Sequence, residues 1–582
     1  MRGKDSIILG MSMGHGDSSA ALVVGDRLVA AVEEERFVRI KHYSLYPKHA
    51  IHYCLSHAGI APGLVDTIAI ARQPWNALAP KLWCLIQHPR LLKSRTQNHN
   101  QEYLRTPLPV FLESEGLSHA RQVRVEHHLA HMASSRFLCP DERVALLSID
   151  ALGDFVSAAM GFAEKDTIRI VDRTYFPHSL GFFYTALTQY LGFPYFGDEF
   201  KVMGLSSYGK PEFLPQLRTL IQPVSPFGFR LNLDAFPILR KPMQYSISPE
   251  GQPEVPPFYD EKYLEELLGF PPREYRGPLD EKHMNLAKSV QACFEEVASA
   301  LLHQLYKRVP TDSVALSGGC AHNSVWVGKI PCLTPFKNVF VAPASHDAGI
   351  CVGAAIHAAG HAVSPEGGHW ALLGPSFSLD TPPALSAERP EVSEQSFSQD
   401  EMLIEWMVAE LAQGHIIGLF TDRLEFGPRA LGSRSIIADP RPADIRDRLN
   451  ERVKHRESFR PFAASVLWEE QADWFQNSFY CPSMEAVFPV RAEMKEKIRG
   501  VVHVDDTCRI QSVTRETQPF YYQLIESFRK KTGVPMIINT SFNDSEPIVC
   551  TEHDAVNCFL NSDLDHLVIG RKAYSKETGV RS

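Results

Sequence analysis

The chain has no C-x-x-C pair, and its eleven cysteines in 582 residues are an odd number, too sparse for a disulfide framework. Reduced and mostly buried thiols of a cytosolic protein are expected instead. No apolar run approaches the roughly 20 residues that span a bilayer. The opening MRGKDSIILG carries Asp5 and an immediate strand-like run where a signal peptide would place an apolar region and a cleavage site. Positive charge is scarce too. A formal net charge of -9 removes the usual electrostatic ground for wholesale nucleic-acid binding, although local basic clusters can still hold phosphate. A cytoplasmic protein without a membrane or nucleic-acid partner is expected. Two motifs are also missing. The paired histidines of VEHHLAH lack the glutamate of a zinc-protease H-E-x-x-H, and GLSSYGKP at 204–211 puts Pro211 where a P-loop needs Ser or Thr.

What remains is an ordinary globular composition, 44% hydrophobic and 22% charged, in a chain too long for a single core. IILGMSMGHGDSSAALVVGDRLVAAVEEER reads as a strand, a polar tip and two strands joined by a tight turn at Gly25-Asp26. The pattern recurs at 144–175, with Gly153-Asp154 echoing Gly16-Asp17 and a turn at Lys165-Asp166. Two such units separated by helical sequence point to an α/β fold of paired lobes with their tips facing one cleft, the arrangement of actin-like nucleotide-binding folds. Residues 222–280 are proline-dense and without clean period, an insertion over this first domain. A domain boundary is expected near 368, in Pro/Ser/Glu-rich sequence. The remainder, 369–582, holds strand runs HIIGLF, SIIADP, FAASVL and VPMIIN, enough for its own core.

Three constellations carry chemistry. His127 and His131 are four apart, so on a helix they share a face and can grip one ion together, while His128 points elsewhere. Taken alone they could equally be buried histidines satisfied by backbone groups. Asp150, ending VALLSID, and Asp347, just past VFVAP, both lie where a strand hands a side chain to a cleft. Imidazoles with carboxylates and no thiolate suit iron, zinc or manganese and leave positions open for substrate or water. Second, LSGGCAHN at 316–323 empties a buried strand into Gly318 and Gly319 ahead of a helix start near Asn323, either an ordinary turn or a phosphate cradle. Third, Arg429, Arg434, Lys454, Arg460 and Arg509 stand beside apolar strand runs among glycine, proline and aromatic residues. Single charges there are ordinarily a solvated face. Together they fit a pocket for a phosphorylated small molecule, because guanidinium forks pair with phosphate oxygens.

From HGDSSAALVV and EEERFVRIKH through HHLAH, SLGFFY, KVMGLSSYG, SGGCAHNS and PASHDAG to FGPRALGSRSI, FRPF, RIQSV and NTSFN, the chain resembles the O-carbamoyltransferases of antibiotic and nodulation-factor biosynthesis. The resemblance covers nearly the whole chain in the family's order. It implies an actin-like (ASKHA) first domain, similar to that of the tRNA threonylcarbamoyl transferase. The last domain would have a double-stranded-RNA-binding-like, or YrdC-like, α/β fold. It implies that the last domain forms carbamoyl adenylate from carbamoyl phosphate and magnesium-ATP, with Arg429, Lys454, Arg460 and Arg509 holding the phosphates. The first domain would transfer the carbamoyl group to an acceptor hydroxyl of a small molecule. His127, His131, Asp150 and Asp347 would hold iron there, while Lys41 and a histidine near the first tip, here His15, serve the transfer. Two positions depart from the family's pattern: Gly16 separates His15 from Asp17, and Asp544 and Ser545 follow NTSFN where some relatives have an arginine. A threonylcarbamoyl-type tRNA-modifying enzyme and a non-catalytic actin-like nucleotide switch are the other readings. The acceptor surface is assigned to the 222–280 insertion and to HPRLLKSR at 88–95.

Overall fold

The computed structural model describes residues 6–89, 106–239, 246–377, 385, 389 and 391–576. Residues 90–95 of the basic stretch and 240–245 of the insertion therefore lie outside the described residues. The chain divides into two compact units, Met1–Ser364 and Pro365–Ser582, against an expected boundary of 368. All eleven cysteines are free thiols, nine of them buried. Among the described residues no helix is long and apolar enough to cross a membrane.

The first unit is a mixed α/β structure built twice. β1 (Ile7–Ser12), β2 (Ser19–Val24) and β3 (Arg27–Glu33) form an antiparallel meander, and β4 (Thr67–Ile70) and β5 (Arg121–Arg124) add to the other side of β1 in parallel. The order is β3-β2-β1-β4-β5, and Ser364 extends the β3 edge by donating to the Asp26 carbonyl at 2.9 Å. Helix α1 (His127–Arg136) leads into the second copy. There β6 (Arg143–Gly153), β7 (Val156–Glu164) and β8 (Thr167–Tyr175) repeat the meander, and β9 (Ser313–Ser317) and β10 (Asn338–Val341) repeat the parallel pair. Its order, β8-β7-β6-β9-β10, is that of the first sheet.

The tight turns fall at Gly25-Asp26 and Lys165-Asp166, where Gly25 and Lys165 adopt left-handed backbone (φ 58° and 53°), as two-residue hairpin turns require. Parallel neighbours demand crossovers covered by helices, so the central strands are buried on both faces and read as continuous apolar runs such as VALLSI. Leu9, Met11, Leu22, Val32 and Ile68 fill one core, and Met132, Leu146, Val156 and Ala315 the other. Each such large aliphatic side chain contributes about 1.5–3 kcal/mol. The helix α2 (Glu281–Arg308) begins with a capping box in which Asp280 accepts from the His283 N–H. Segment 222–280 contributes two small hairpins and the helix Glu261–Leu268. A helix α3 (Ile350–Ala359) follows β10 and packs against α1 and β1.

The second unit is one nine-stranded sheet. Its strands are β11 (Val392–Ser396), β12 (Ile417–Phe420), β13 (Arg434–Ala438), β14 (Ala463–Leu467), β15 (Ala486–Pro489), β16 (Thr507–Val513), β17 (Met536–Ser541), β18 (His566–Ile569) and β19 (Lys572–Lys576). They run in the order β11-β19-β18-β12-β13-β17-β14-β16-β15, mostly antiparallel. Helices α4 (Asp400–Ala412) and α5 (Pro519–Thr532) belong to this unit.

Candidate functional site

In the first unit the four expected ligands converge. Ligand atoms of His127, His131, Asp150 and Asp347 all lie within 4.8 Å of one another. His127 Nε2 is 3.1 Å from Asp150 Oδ2 and 3.1 Å from His131 Nε2. Asp347 Oδ1 is 3.4 Å from both imidazole nitrogens, and His131 Nε2 is 3.5 Å from Asp150 Oδ2. Donor atoms about 2.0–2.2 Å from a shared tetrahedral or octahedral ion are spaced in this range.

Local sequence explains the placement. Glu126 caps α1 by accepting from the Leu129 N–H at 2.7 Å, which starts the helix so that His127 and His131 are one turn apart. The Asp154 carboxylate accepts from the backbone N–H of His127 (3.0 Å) and of Gln73 (2.7 Å). A side chain at Gly153 would put its Cβ 2.0 Å from the His127 ring, so glycine makes the room the imidazole occupies. His128 turns away, between Ser148 Oγ and the Val156 carbonyl, both at 2.9 Å. Burial and the neighbouring histidines push it down to about 3, which keeps it neutral.

The charge balance within the cluster is tight. Burial opposes the imidazolium form of His131, yet the close approach of the Asp150 and Asp347 carboxylates and their charge lift it to about 9. Burial also opposes both carboxylates, and the histidines nonetheless hold Asp150 well below the usual carboxylate range and lower Asp347 as well. Two polar atoms remain unpartnered inside, His131 Nδ1 and Asp347 Oδ1. An acceptor oxygen left bare among imidazoles, in a set of two nitrogens and two carboxylates, fits a divalent ion of the iron, zinc or manganese kind.

His15 borders this cluster. Its Nδ1 is 3.0 Å from Asp347 Oδ2, and its ring lies edge-on to His127 at 5.6 Å. Asp347 thus divides its oxygens, Oδ1 to the paired imidazoles and Oδ2 to His15. Burial works against protonation of His15, but the Asp347 charge raises it above the ordinary imidazole value. Its Nε2 is buried without a partner.

In residues 316–323, open between an ordinary turn and a phosphate cradle, both glycine donors have partners within the chain. The Gly319 N–H donates to Asp150 Oδ1 at 3.1 Å, and the Gly318 N–H to the Ser345 carbonyl at 2.8 Å. Asn323 accepts from the Trp326 N–H and exchanges hydrogen bonds with Gln291. A Cβ at Gly319 would stand 3.0 Å from Asp150 Oδ1. The glycine turn therefore orients a carboxylate of the cluster, and its donors are spent there.

Sequence reasoning missed a second dyad on the same tip. His42 Nδ1 is 2.8 Å from Asp17 Oδ1, His346 Nε2 is 3.7 Å from Asp17 Oδ2, and His322 Nε2 meets His346 Nδ1 at 3.0 Å. Asp17 and His42 both adopt left-handed backbone (φ 67° and 57°), which a non-glycine residue tolerates at functional turns. Lys41, half-buried in the same turn, lies close enough to act electrostatically on His42. The signal available in sequence was the repeated Gly-Asp tip.

The dyad has a pH signature. Burial disfavours charged His42, and Asp17 outweighs it by charge and hydrogen bond, raising His42 to about 9 and lowering Asp17. A histidine raised above its unfolded value near 6.5 stabilises the fold fully below about pH 6.5, and the contribution is lost as pH rises through about 9. Urea denaturation of wild type and Asp17→Asn should differ by about 1–2 kcal/mol at pH 6, allowing for solvent screening at the half-exposed ring, and converge by about pH 10.

In the second unit the arginines behave differently from one another. Arg429, Arg460 and Arg509 lie close enough to repel one another, and Arg456, which stands in VKHRESF, is repelled by Arg460 and Arg509 as well. Burial first, then mutual repulsion, holds Arg429 and Arg456 well below the ordinary guanidinium value; burial is the main cause of lowering at Arg509, which sits at about 10. Glu457 lies 3.6 Å from Arg460. Arg509 Nε is buried without a hydrogen-bond partner. Crowded guanidiniums of this kind suit a multiply charged anion.

Two other cations of the expected set point elsewhere. The Lys454 ammonium is buried against oxygens of Ser541 and Asn543, with Asn543 O at 2.7 Å and Oδ1 at 2.8 Å, so it fastens the NTSFN loop. Arg434 is fully buried over the Phe420 ring at 3.6 Å, and its guanidinium donates to the Thr421 and Asp422 carbonyls. It belongs to the core and not to a pocket lining. Asp544 faces His455 at 3.3 Å.

Two family models match this chain, one described as the carbamoyltransferase N-terminus over residues 7–356 and one as the carbamoyltransferase C-terminus over 408–576. An uncharacterized Synechocystis protein, sll1178, is 34% identical over 97% of this chain and 95% of its own length. Nodulation protein NolNO of Sinorhizobium fredii is 34% identical over 97% of this chain and 79% of its own. A 3'-hydroxymethylcephem-O-carbamoyltransferase of Amycolatopsis lactamdurans is 32% identical over 45% of this chain and 49% of its own.

Proposed function

The chain belongs to the carbamoyltransferase family, and on that premise we propose that it is an ATP-dependent O-carbamoyltransferase of a small-molecule acceptor with two separate active sites. The observation that carries the reading is the convergence of His127, His131, Asp150 and Asp347 next to His15. It is supported by a relative named for O-carbamoylation of a hydroxymethyl group. The duplicated strand order supports an actin-like first unit, and the mixed sheet of the second is compatible with the double-stranded-RNA-binding-like fold.

In the second unit, Arg429, Arg456, Arg460 and Arg509 would bind the phosphates of carbamoyl phosphate and magnesium-ATP. Carbamoyl phosphate would first lose its phosphate to water, leaving carbamate, whose oxygen attacks the α-phosphorus of ATP with release of pyrophosphate; the resulting carbamoyl adenylate carries AMP as a leaving group of low basicity, and the guanidiniums offset the charge that moves as bonds exchange. Lys454 would act indirectly, by holding Ser541 and Asn543 in place.

In the first unit, the two imidazoles and two carboxylates would hold iron. Such an ion, when bound, polarises a carbamoyl oxygen or lowers the cost of charge on an acceptor oxygen. Gly319 and Asp154 keep the ligands aimed through the N–H of one and the carboxylate of the other. His15, oriented by Asp347 through Nδ1, presents Nε2 to take the proton of the attacking hydroxyl. Lys41 would supply positive charge to the departing phosphate.

The test is pyrophosphate release by the purified chain. Release is expected from ATP when carbamoyl phosphate is present and not in its absence. Background-level pyrophosphate with both substrates and metal supplied would sink the reading.

A further inference from the structure

Apart from the arginine set, Glu410, His415 and His566 bring three ligand atoms within 4.8 Å. The fold assembles them from three places. Glu410 lies in the last turn of α4, and His415 follows five residues on at the entry to β12. His566 opens β18, where its neighbour across the parallel pair is Ile417. His415 Nδ1 is 2.6 Å from Glu410 Oε2, and His566 Nε2 is 3.2 Å from the same oxygen.

The surroundings are those of a built site. His566 Nδ1 is held at 2.8 Å by Ser575 Oγ, and Ser575 is its cross-strand partner on β19. That bond fixes the ring with Nε2 turned to Glu410, the outer-shell arrangement by which ligating histidines are commonly oriented. Trp406 lies edge-on to the ring at 5.1 Å and closes the inner side. The His415 side chain is 37% exposed, against 11% for His566, so the cluster opens to solvent on one side.

We propose that Glu410, His415 and His566 form a second metal site, for a divalent transition ion of the zinc kind, that staples the end of α4 to the sheet. Two imidazoles and one carboxylate with no thiolate suit zinc, and the solvent-facing side leaves a fourth position for water. No group of the carbamoyl-transfer chemistry takes part. The reading is independent of the reaction assigned above.

A hydrogen-bonded triad would draw both imidazoles to one carboxylate oxygen as well, so the discriminating measurement is metal stoichiometry. The full chain carrying His131→Ala, stripped with chelator and dialysed, is titrated with zinc alone, and bound metal is counted by elemental analysis. It is compared with the same chain carrying His415→Ala in addition. Loss of one equivalent per chain is expected on adding His415→Ala, together with loss of a zinc-dependent rise in melting temperature. Glu410→Gln, which keeps the side chain's shape, should give the same loss and serves where His415→Ala does not fold. In the otherwise wild-type chain, His415→Ala should leave carbamoyl transfer unchanged. Equal zinc content with and without the substitutions, or no zinc bound by the His131→Ala chain, overturns the proposal.

Discussion

Replacing Asp347 by asparagine is expected to stop carbamoyl transfer while leaving pyrophosphate formation intact. The amide has the carboxylate's shape, so the cluster should keep its packing, but two electrostatic relations end together. Oδ1 stands 3.4 Å from both imidazoles without a hydrogen bond of its own, and Oδ2 orients His15. Losing a charged ligand and the partner of the base should lower the transfer rate by about 10³-fold or more, roughly 4 kcal/mol on the barrier. Bound iron should fall in parallel. On the proposed function, pyrophosphate release is assigned to groups of the second unit and should stay within about twofold, since no guanidinium there is altered. Transfer that survives within tenfold, with metal supplied, would mean that Asp347 is neither ligand nor orienting group.

Arg429→Met should lower pyrophosphate release and carbamoyl transfer together, because transfer draws on the adenylate whose formation releases pyrophosphate. Arg429 is held well below the ordinary guanidinium value by burial and by Arg509 and Arg460, and the same two guanidiniums act on Arg456. Such crowding costs stability in the absence of an anion. Methionine fills a similar volume without charge, so the urea midpoint should hold or rise. The catalytic efficiency with carbamoyl phosphate, read as pyrophosphate release, should fall by about 10²–10³-fold, the usual loss for a charge-assisted contact to a reacting oxyanion. A variant that loses stability and keeps its efficiency would show that Arg429 is a structural residue and not part of an anion receptor.

How far these sites could be read from sequence depends on how local their causes are. His127 and His131 were legible because a helix repeats its faces every three to four residues. Asp150 and Asp347 were legible because one ends an apolar strand run and the other lies just past one. Arg456 was not, although it sits in the same basic run as Lys454 and Arg460, because nothing in a run of charges tells which side chain turns inward. The Asp17–His42 pair was hidden for another reason: it joins residues separated by a complete hairpin and a turn in left-handed backbone. Lys454 and Arg434 had the composition of ligand-binding cations, yet buried carbonyl oxygens claimed both, as a buried cation must find acceptors somewhere.

The amino-acid order by itself determined the repeated strand-tip-hairpin unit, the spacing of the histidine pair and the existence of a separate C-terminal core, because each follows from short-range periodicity and turn chemistry. Only the tertiary structure decided which donors and charges are already spent. The Gly319 N–H goes to Asp150 and the Lys454 ammonium to Ser541 and Asn543, while Arg509 Nε is buried without a partner among the described residues. A hydrogen bond uses up a group's capacity only once its partner arrives, and those partners come from strands tens to hundreds of residues away.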